Sequence, residues 1–313
     1  MKRSFYSAPV AGIASVILAL LCLGAQAQMQ DANEEAAEPQ FSEEQQQYIA
    51  WAQQTWDGME RRTGTVELPG GVASLEVPDS FYYLNPEDSK LVLEEIWGNP
   101  EGELGLGMLF PMDVTPFDGD SWGVTIEYSE EGYIRDDDAA EIDYSELLQD
   151  MQASTREESA YRVENGYESI SLVGWAEQPY YDTEQKKLYW AKELAFGEME
   201  TNTLNYNIRV LGRKGVLVLN FIAGMSQLED IKQSRDAVLA MTSFNPGYRY
   251  EEFDPEIDKV AAYGLGALVT GKVLAKTGLL AGLLLFLKKA WILIPLAFGA
   301  LFKLFRRGGK GDQ

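Results

Sequence analysis

Histidine is absent from this 313-residue chain, and cysteine occurs once, at Cys22. The first absence removes the side chain that moves protons near neutral pH and the commonest zinc ligand. The second excludes an internal disulfide and any zinc site built from several thiolates. Basic residues are also scarce, 26 against 49 acidic ones, which gives a formal net charge of -23 at pH 7. Phosphate repels such a chain, so nucleic acid is excluded as a partner. Missing too are a G-x-S-x-G elbow, a Walker loop, a G-x-G-x-x-G turn opening a helix and an H-E-x-x-H pair. The chemistries left open are paired carboxylates, Ser-Lys nucleophiles and hard metals held by carboxylates. What is present is ordinary for a folded protein: 46% hydrophobic and 12% aromatic residues, enough for a sizeable core.

The charge is partitioned. Residues 1–27 hold two basic groups and no acid; residues 28–258 hold 48 acids against 15 bases; residues 259–313 hold nine bases against one acid. Lys2 and Arg3, an apolar run over residues 10–23 and the Ala25-Gln26-Ala27 triplet have the form of a secretory signal cleaved after Ala27. Lipidation at Cys22 is the weaker alternative, because Leu21 precedes it where a small residue is usual. After cleavage the mature chain would hold neither Cys nor His.

The other end is apolar and basic. Residues 279–302, opened by Leu279 and closed by Phe302, are long enough at 1.5 Å per residue to cross a hydrocarbon core of ~30 Å. Lys288 and Lys289 stand in the middle, at an insertion cost of roughly 5–7 kcal/mol against about 4–8 returned by the apolar side chains. A single crossing with the basic tail inside is expected. The alternative is a hairpin turning at the lysine pair, which would leave Arg306, Arg307 and Lys310 outside, against the positive-inside rule. The bilayer is thus the expected partner of this segment, and Gly278 with Gly282 offers a small-residue face for self-association.

Between the ends, residues 28–41 read as a disordered acidic lead. Ser42 and Gln45 form a capping-box pattern for a helix over residues 42–63, with Tyr48, Ala52, Trp56 and Met59 on one side and its end near Gly64. Residues 64–244 read as one α+β domain. Short strands flank Pro69-Gly70-Gly71, and Asn85-Pro86 opens a helix that Gly98 stops. Strands follow over residues 104–110 and 122–128, then a helix from Asp143. Four runs, ISLVGWAE, KLYWAKELAF, TLNYNIRVL and GVLVLNFIAG, predict an antiparallel meander covered by helices, the last of them carrying Leu228, Ile231, Val238 and Leu239. In the third run Leu204, Tyr206, Ile208 and Val210 share one face, and Asn205, Asn207 and Arg209 the other. Residues 245–260 read as an acidic stalk, residues 261–305 as the membrane segment and residues 306–313 as a basic tail. The element order resembles the α/β/α sandwich of the Mog1/PsbP-like proteins.

Through GWAEQPYYDTEQKKLYWAKELAFG, LNYNIRVLGRKGVLVLNFIAG, FDPEIDKVAAYGLGALVTGKVLAKTGLLA and the KKAW segment, the chain resembles the bacterial membrane-anchored family known as domain of unknown function 2167. The resemblance spans about residues 60–305. It implies a bacterial, membrane-anchored, exported domain, and it brings no catalytic or binding residues with it.

Candidate chemistry is sparse. Glu177 and Glu193 fall on neighbouring predicted strands and are the candidates for a carboxylate pair; as surface groups they would instead pair with Lys192 or Arg209. Asp136, Asp137 and Asp138 with Glu130 and Glu131 lack the calcium-loop spacing and read as a solvated loop. Trp175, Tyr180, Tyr181, Tyr189 and Trp190 suggest a carbohydrate or peptide platform, although strand alternation puts half of them in the core. The stripe Asn205, Asn207 and Arg209 is the best candidate binding surface. No cofactor is expected. The favoured reading is a non-enzymatic envelope protein whose acidic exported domain meets a protein partner or a second copy; the alternative is a membrane-tethered hydrolase using paired carboxylates.

Overall fold

The computed structural model describes residues 41–270. The expected signal with Ala25 and Ala27, the acidic lead up to residue 40, the crossing marked by Leu279, Lys288, Lys289 and Phe302, and the basic tail lie outside the described residues. Among the described residues no helix is long and apolar enough to cross a membrane.

Order begins at the capping box. Ser42 Oγ accepts from the Gln45 backbone N–H, and Gln45 Oε1 accepts from the Ser42 N–H, which starts α1 (Glu43–Gly58). The helix stops before the expected Gly64, because Met59 turns extended and buries its side chain. β1 (Gly64–Glu67) and β2 (Ala73–Val77) pair antiparallel across a turn in which Gly70 and Gly71 take φ of 81° and 66°. β3 (Phe81–Leu84) was not separable in sequence from the helix after it, since all four residues are buried and show no alternation. Asn85 caps α2 (Pro86–Leu91), which continues as a π turn over Val92–Ile96.

β4 (Gly107–Pro111) and β5 (Gly123–Ser129) precede α3 (Tyr144–Glu164), capped by Asp143. The expected meander is β6 (Ile170–Asp182), β7 (Lys187–Phe196), β8 (Thr203–Leu211) and β9 (Val216–Gly224). Then come α4 (Leu228–Ala240), β10 (Thr242–Phe244) and α5 (Leu265–Thr270). β3-β4-β5-β9-β8-β7-β6 form a seven-stranded antiparallel sheet, and β1-β2-β10 a second, three-stranded one.

The two faces of the large sheet are covered differently. On one, Leu204, Tyr206, Ile208, Leu219 and Phe221 pack with Leu75 of β2 and with Ile231 and Val238 of α4, all at 0% exposure. On the other, α1 and α2 cover the β3–β4 end through Met59, Val92, Met108 and Phe110. α3 covers the β6–β7 end through Leu147, Met151, Leu188 and Trp190. Between these two covers Asn205 and Arg209 of β8 and Val218, Asn220 and Ile222 of β9 are only partly buried, and they line a trough that α5 and Ile134 close at its Leu211–Val216 end.

Residues 245–260 do not lead away from the domain as a stalk. Tyr133 stacks on Tyr250 and Phe253, at centroid distances of 4.5 and 3.8 Å. Asp258 takes an ion pair from Arg213 at 2.7 Å, and Val260 bridges Tyr133. Residues 261–270, expected to open the membrane segment, also belong to the folded domain: Leu265 is fully buried against Ile134, Leu211 and Val216, and Val269 joins the cluster under α3. Asn245-Pro246-Gly247 and the acids after it suggest a stalk, whereas the aromatic side chains among those acids decide the packing.

Candidate functional site

Register places Glu177 opposite Ala191 and Glu193 opposite Leu204, so both carboxylates stand on the face covered by α4. Glu177 accepts from the Tyr206 hydroxyl at 3.3 Å and lies 3.3 Å from Lys232 Nζ and 3.7 Å from Arg235 Nη1. Arg235 in turn donates to the Tyr206 hydroxyl, and burial pushes the Tyr206 phenol up to about 12. Glu193 accepts from Asn202 Nδ2 at 2.6 Å. The two carboxylates share none of these partners. Glu177, moreover, is tied up by the Lys232 and Arg235 cations, which leaves it engaged within the fold. The expected pairing with Lys192 or Arg209 is replaced by Lys232 and Arg235, because Lys192 and Arg209 project from the opposite face.

A recess of about 450 Å³ beside this network is lined by Tyr180, Asp182, Lys187, Tyr189, Arg235 and Asp236. The rings of Tyr180 and Tyr189 stack at 4.7 Å, and the Arg235 guanidinium lies 5.6 Å from the Tyr189 centroid. Neither Glu177 nor Glu193 lines the recess. The remaining aromatics divide between structural tasks. Trp190 is 1% exposed, Trp175 Nε1 donates to the Tyr144 carbonyl, and Tyr181 donates to Asp136 at 2.8 Å.

The acidic loop is likewise engaged. Asp136 also accepts from Lys186 at 2.7 Å and from Tyr250 at 3.3 Å. Burial acts to raise the pKa of its carboxyl, but the hydrogen bonds from Lys186 and Tyr181 outweigh it and leave the carboxyl below its ordinary value. Asp138 accepts from the Leu265 backbone N–H, so the loop holds down α5 rather than standing free in solvent.

The polar stripe lies in the trough. One row crosses four strands in register, Thr125, Asn220, Asn207 and Trp190, taken from β5, β9, β8 and β7. The next row carries Ile222, Asn205 and Lys192, and on the other side Val218 pairs with Arg209. Asn207 is 4% exposed and donates to the Asn205 carbonyl; Arg209 lies over the Trp190 ring at 4.7 Å. Lys192 is partly buried and makes no hydrogen bond or ion pair among the described residues. Burial, reinforced by the Arg209 charge and opposed by Glu158 of α3, pulls its ammonium down to about 8. Burial pulls Arg209 down to about 10, with Glu127 opposing. Trp190 Nε1 and Asn220 Oδ1 are buried without a hydrogen-bond partner.

Asn205, Asn207 and Arg209, the stripe legible in sequence, are thus brought together. Lys192, Asn220, Thr125 and the free indole N–H join them through strand register, which sequence alternation alone does not supply.

Among solved structures the chain is similar to cyanobacterial PsbP from Synechocystis sp. PCC 6803, at 10% identity over 60% of this chain and 92% of that one, with a TM-score of 0.32. It is also similar to the Ran-binding protein Mog1p of Saccharomyces cerevisiae, at 13% identity over 59% of this chain and 96% of that one, with a TM-score of 0.24. No curated protein matches it. The family described as "Protein of unknown function (DUF2167)" matches residues 60–299, and the chain belongs to that family.

Proposed function

We propose that the protein is a non-catalytic interaction module, an acidic domain displayed on the exported side of a bacterial membrane and tethered there by the C-terminal apolar segment. The observation that carries the first half is the separate engagement of the two candidate carboxylates, Glu177 by Tyr206, Lys232 and Arg235, and Glu193 by Asn202. A glycosidase-type pair needs two carboxyl groups facing one substrate gap, one held protonated. The tether rests on the apolar run from Leu279 and the charge step at Lys259. Its expected companions are the bilayer and a protein partner or second copy.

Two measurements test this reading. The full chain should sediment with membranes and leave them only in detergent, whereas recovery in the soluble fraction would reject the tether. A strain lacking the protein should be complemented as well by Glu177→Gln and Glu193→Gln as by the natural chain. Loss of complementation by either variant, with its melting temperature unchanged, would restore the hydrolase alternative.

A further inference from the structure

The trough holds two cations that the fold does not neutralise. Lys192 and Arg209 point from adjacent strands onto the same patch, on either side of Trp190. Among the described residues neither Glu158 nor Glu127, the carboxylates whose charges reach them, forms an ion pair with either one. Elsewhere in the described domain several half-buried cations are paired, Lys186 with Asp136, Arg213 with Asp258, Lys232 and Arg235 with Glu177, and the buried, unpaired Arg162 is held by the Glu168 carbonyl and the rings of Tyr167 and Phe196. Stacking on Trp190 compensates the Arg209 guanidinium in part. It does nothing for Lys192. Next to them a fully covered indole donor and a buried amide oxygen have no partner. Like charges brought together out of water, beside unsatisfied polar atoms, are costly unless a ligand completes the set.

We infer that this trough is a binding site for a phosphate group, held between the Lys192 ammonium and the Arg209 guanidinium, with Asn205 at its margin and the Trp190 ring beneath the guanidinium. Two positive charges match a dianion. The planar guanidinium presents paired donors to its oxygens, and the ammonium acts as a point charge. A net charge of -23 repels anions at long range, so occupancy must come from these local contacts rather than from the general field. Ile222, partly exposed on the same trough floor, offers apolar surface beside the charged end, while Val218 packs against the cluster under α5. The same chemistry could reach the trough as a soluble phosphate ester or as a phospholipid headgroup. The inference stands on the sheet geometry and does not depend on the tether.

The test uses the full chain in phosphatidylcholine nanodiscs, with the Trp190 indole resonance identified by its loss in Trp190→Phe. Adding inorganic phosphate or glycerol phosphate, at ionic strength matched with chloride, should shift that resonance saturably. Lys192→Met and Arg209→Gln should each weaken the response about tenfold or more. Lys192→Met should do so while raising the melting temperature, which separates ligand binding from a structural role. Nanodiscs containing phosphatidylglycerol distinguish the sources: a resonance already shifted there identifies the lipid headgroup, and one shifted only by the soluble ester identifies a free ligand. An indole that responds no differently to phosphate than to chloride in either disc, or a Lys192→Met variant that responds as the natural chain does, overturns the proposal.

Discussion

A lysine that loses much of its water without gaining a carboxylate carries that cost into the folded state. Lys192 is pulled down to about 8 by burial and by Arg209, from 10.5 in the unfolded chain. Between those values the unfolded chain binds more protons than the folded one, so this residue makes stability rise with pH, from about 8 to about 10.5. The shift corresponds to a few kcal/mol, less what solvent removes at a partly exposed position. Buried tyrosines act oppositely: Tyr128, pushed up to about 12 by burial, favours the unfolded chain as pH climbs past 10. The measurement must therefore be a difference. Lys192→Met should melt higher than the natural chain at pH 7, and its advantage should shrink steadily up to pH ~10.5. An advantage independent of pH would show that the gain comes from packing alone. At this scale the sequence disclosed that Asn205, Asn207 and Arg209 share a face, because alternation is local. It could not disclose that Lys192 shares it with them while Glu177 and Glu193 do not, because facing depends on the pairing of β7 with β8 and on the register shifts along β6.

Elements that look like linkers can be straps, and composition alone does not tell the two apart. Residues 245–270 hold the C-terminal part of the described domain against the loop after β5 through Tyr133, Tyr250, Phe253 and Val260. Gly132 makes the approach feasible: its φ is 93°, and a Cβ there would stand 2.7 Å from the Lys259 carbonyl oxygen. Gly132→Ala should therefore lower stability by about 1–3 kcal/mol, seen as a lower denaturation midpoint with an unchanged denaturant slope. Truncation gives a second reading of the same strap. A chain ending after Thr270 should be several kcal/mol more stable than one ending after Asp258, which loses the Val260 bridge and the buried Leu265 and Val269. Equal melting of the two truncated chains would mean that the strap contributes nothing. The meander and the helix caps were legible because their signals lie within a few residues of one another. The strap was not, since its contacts with the large sheet and with the loop after β5 join residues more than 30 positions apart, as Arg213 and Asp258 do.

For the whole molecule, the governing feature is the change of charge along the chain, strongly acidic through the domain and basic after it. A secretory signal cleaved after Ala27 would leave Gln28 as the first residue, which N-terminal sequencing of the membrane fraction checks; retention of Met1 would reject export by cleavage. Such cleavage would also remove Cys22, the chain's one cysteine, and so make the topology measurable with a single added thiol. Gly311→Cys places that thiol in the basic tail. A single crossing over residues 279–302 puts it in the cytoplasm, where Arg306, Arg307 and Lys310 satisfy the positive-inside rule. A hairpin turning at Lys288 and Lys289 returns it to the exported side. A membrane-impermeant thiol reagent should therefore leave the tail unlabelled in cells whose outer barrier alone is permeabilised, and label it after full lysis. Labelling before lysis would reject the single crossing. Lys288→Leu with Lys289→Leu then separates the two arrangements by energy: removing two mid-bilayer charges should favour one crossing by roughly 5 kcal/mol or more and keep the tail inside. In a hairpin the same change erases the turn, and the site of labelling should move from outside to inside.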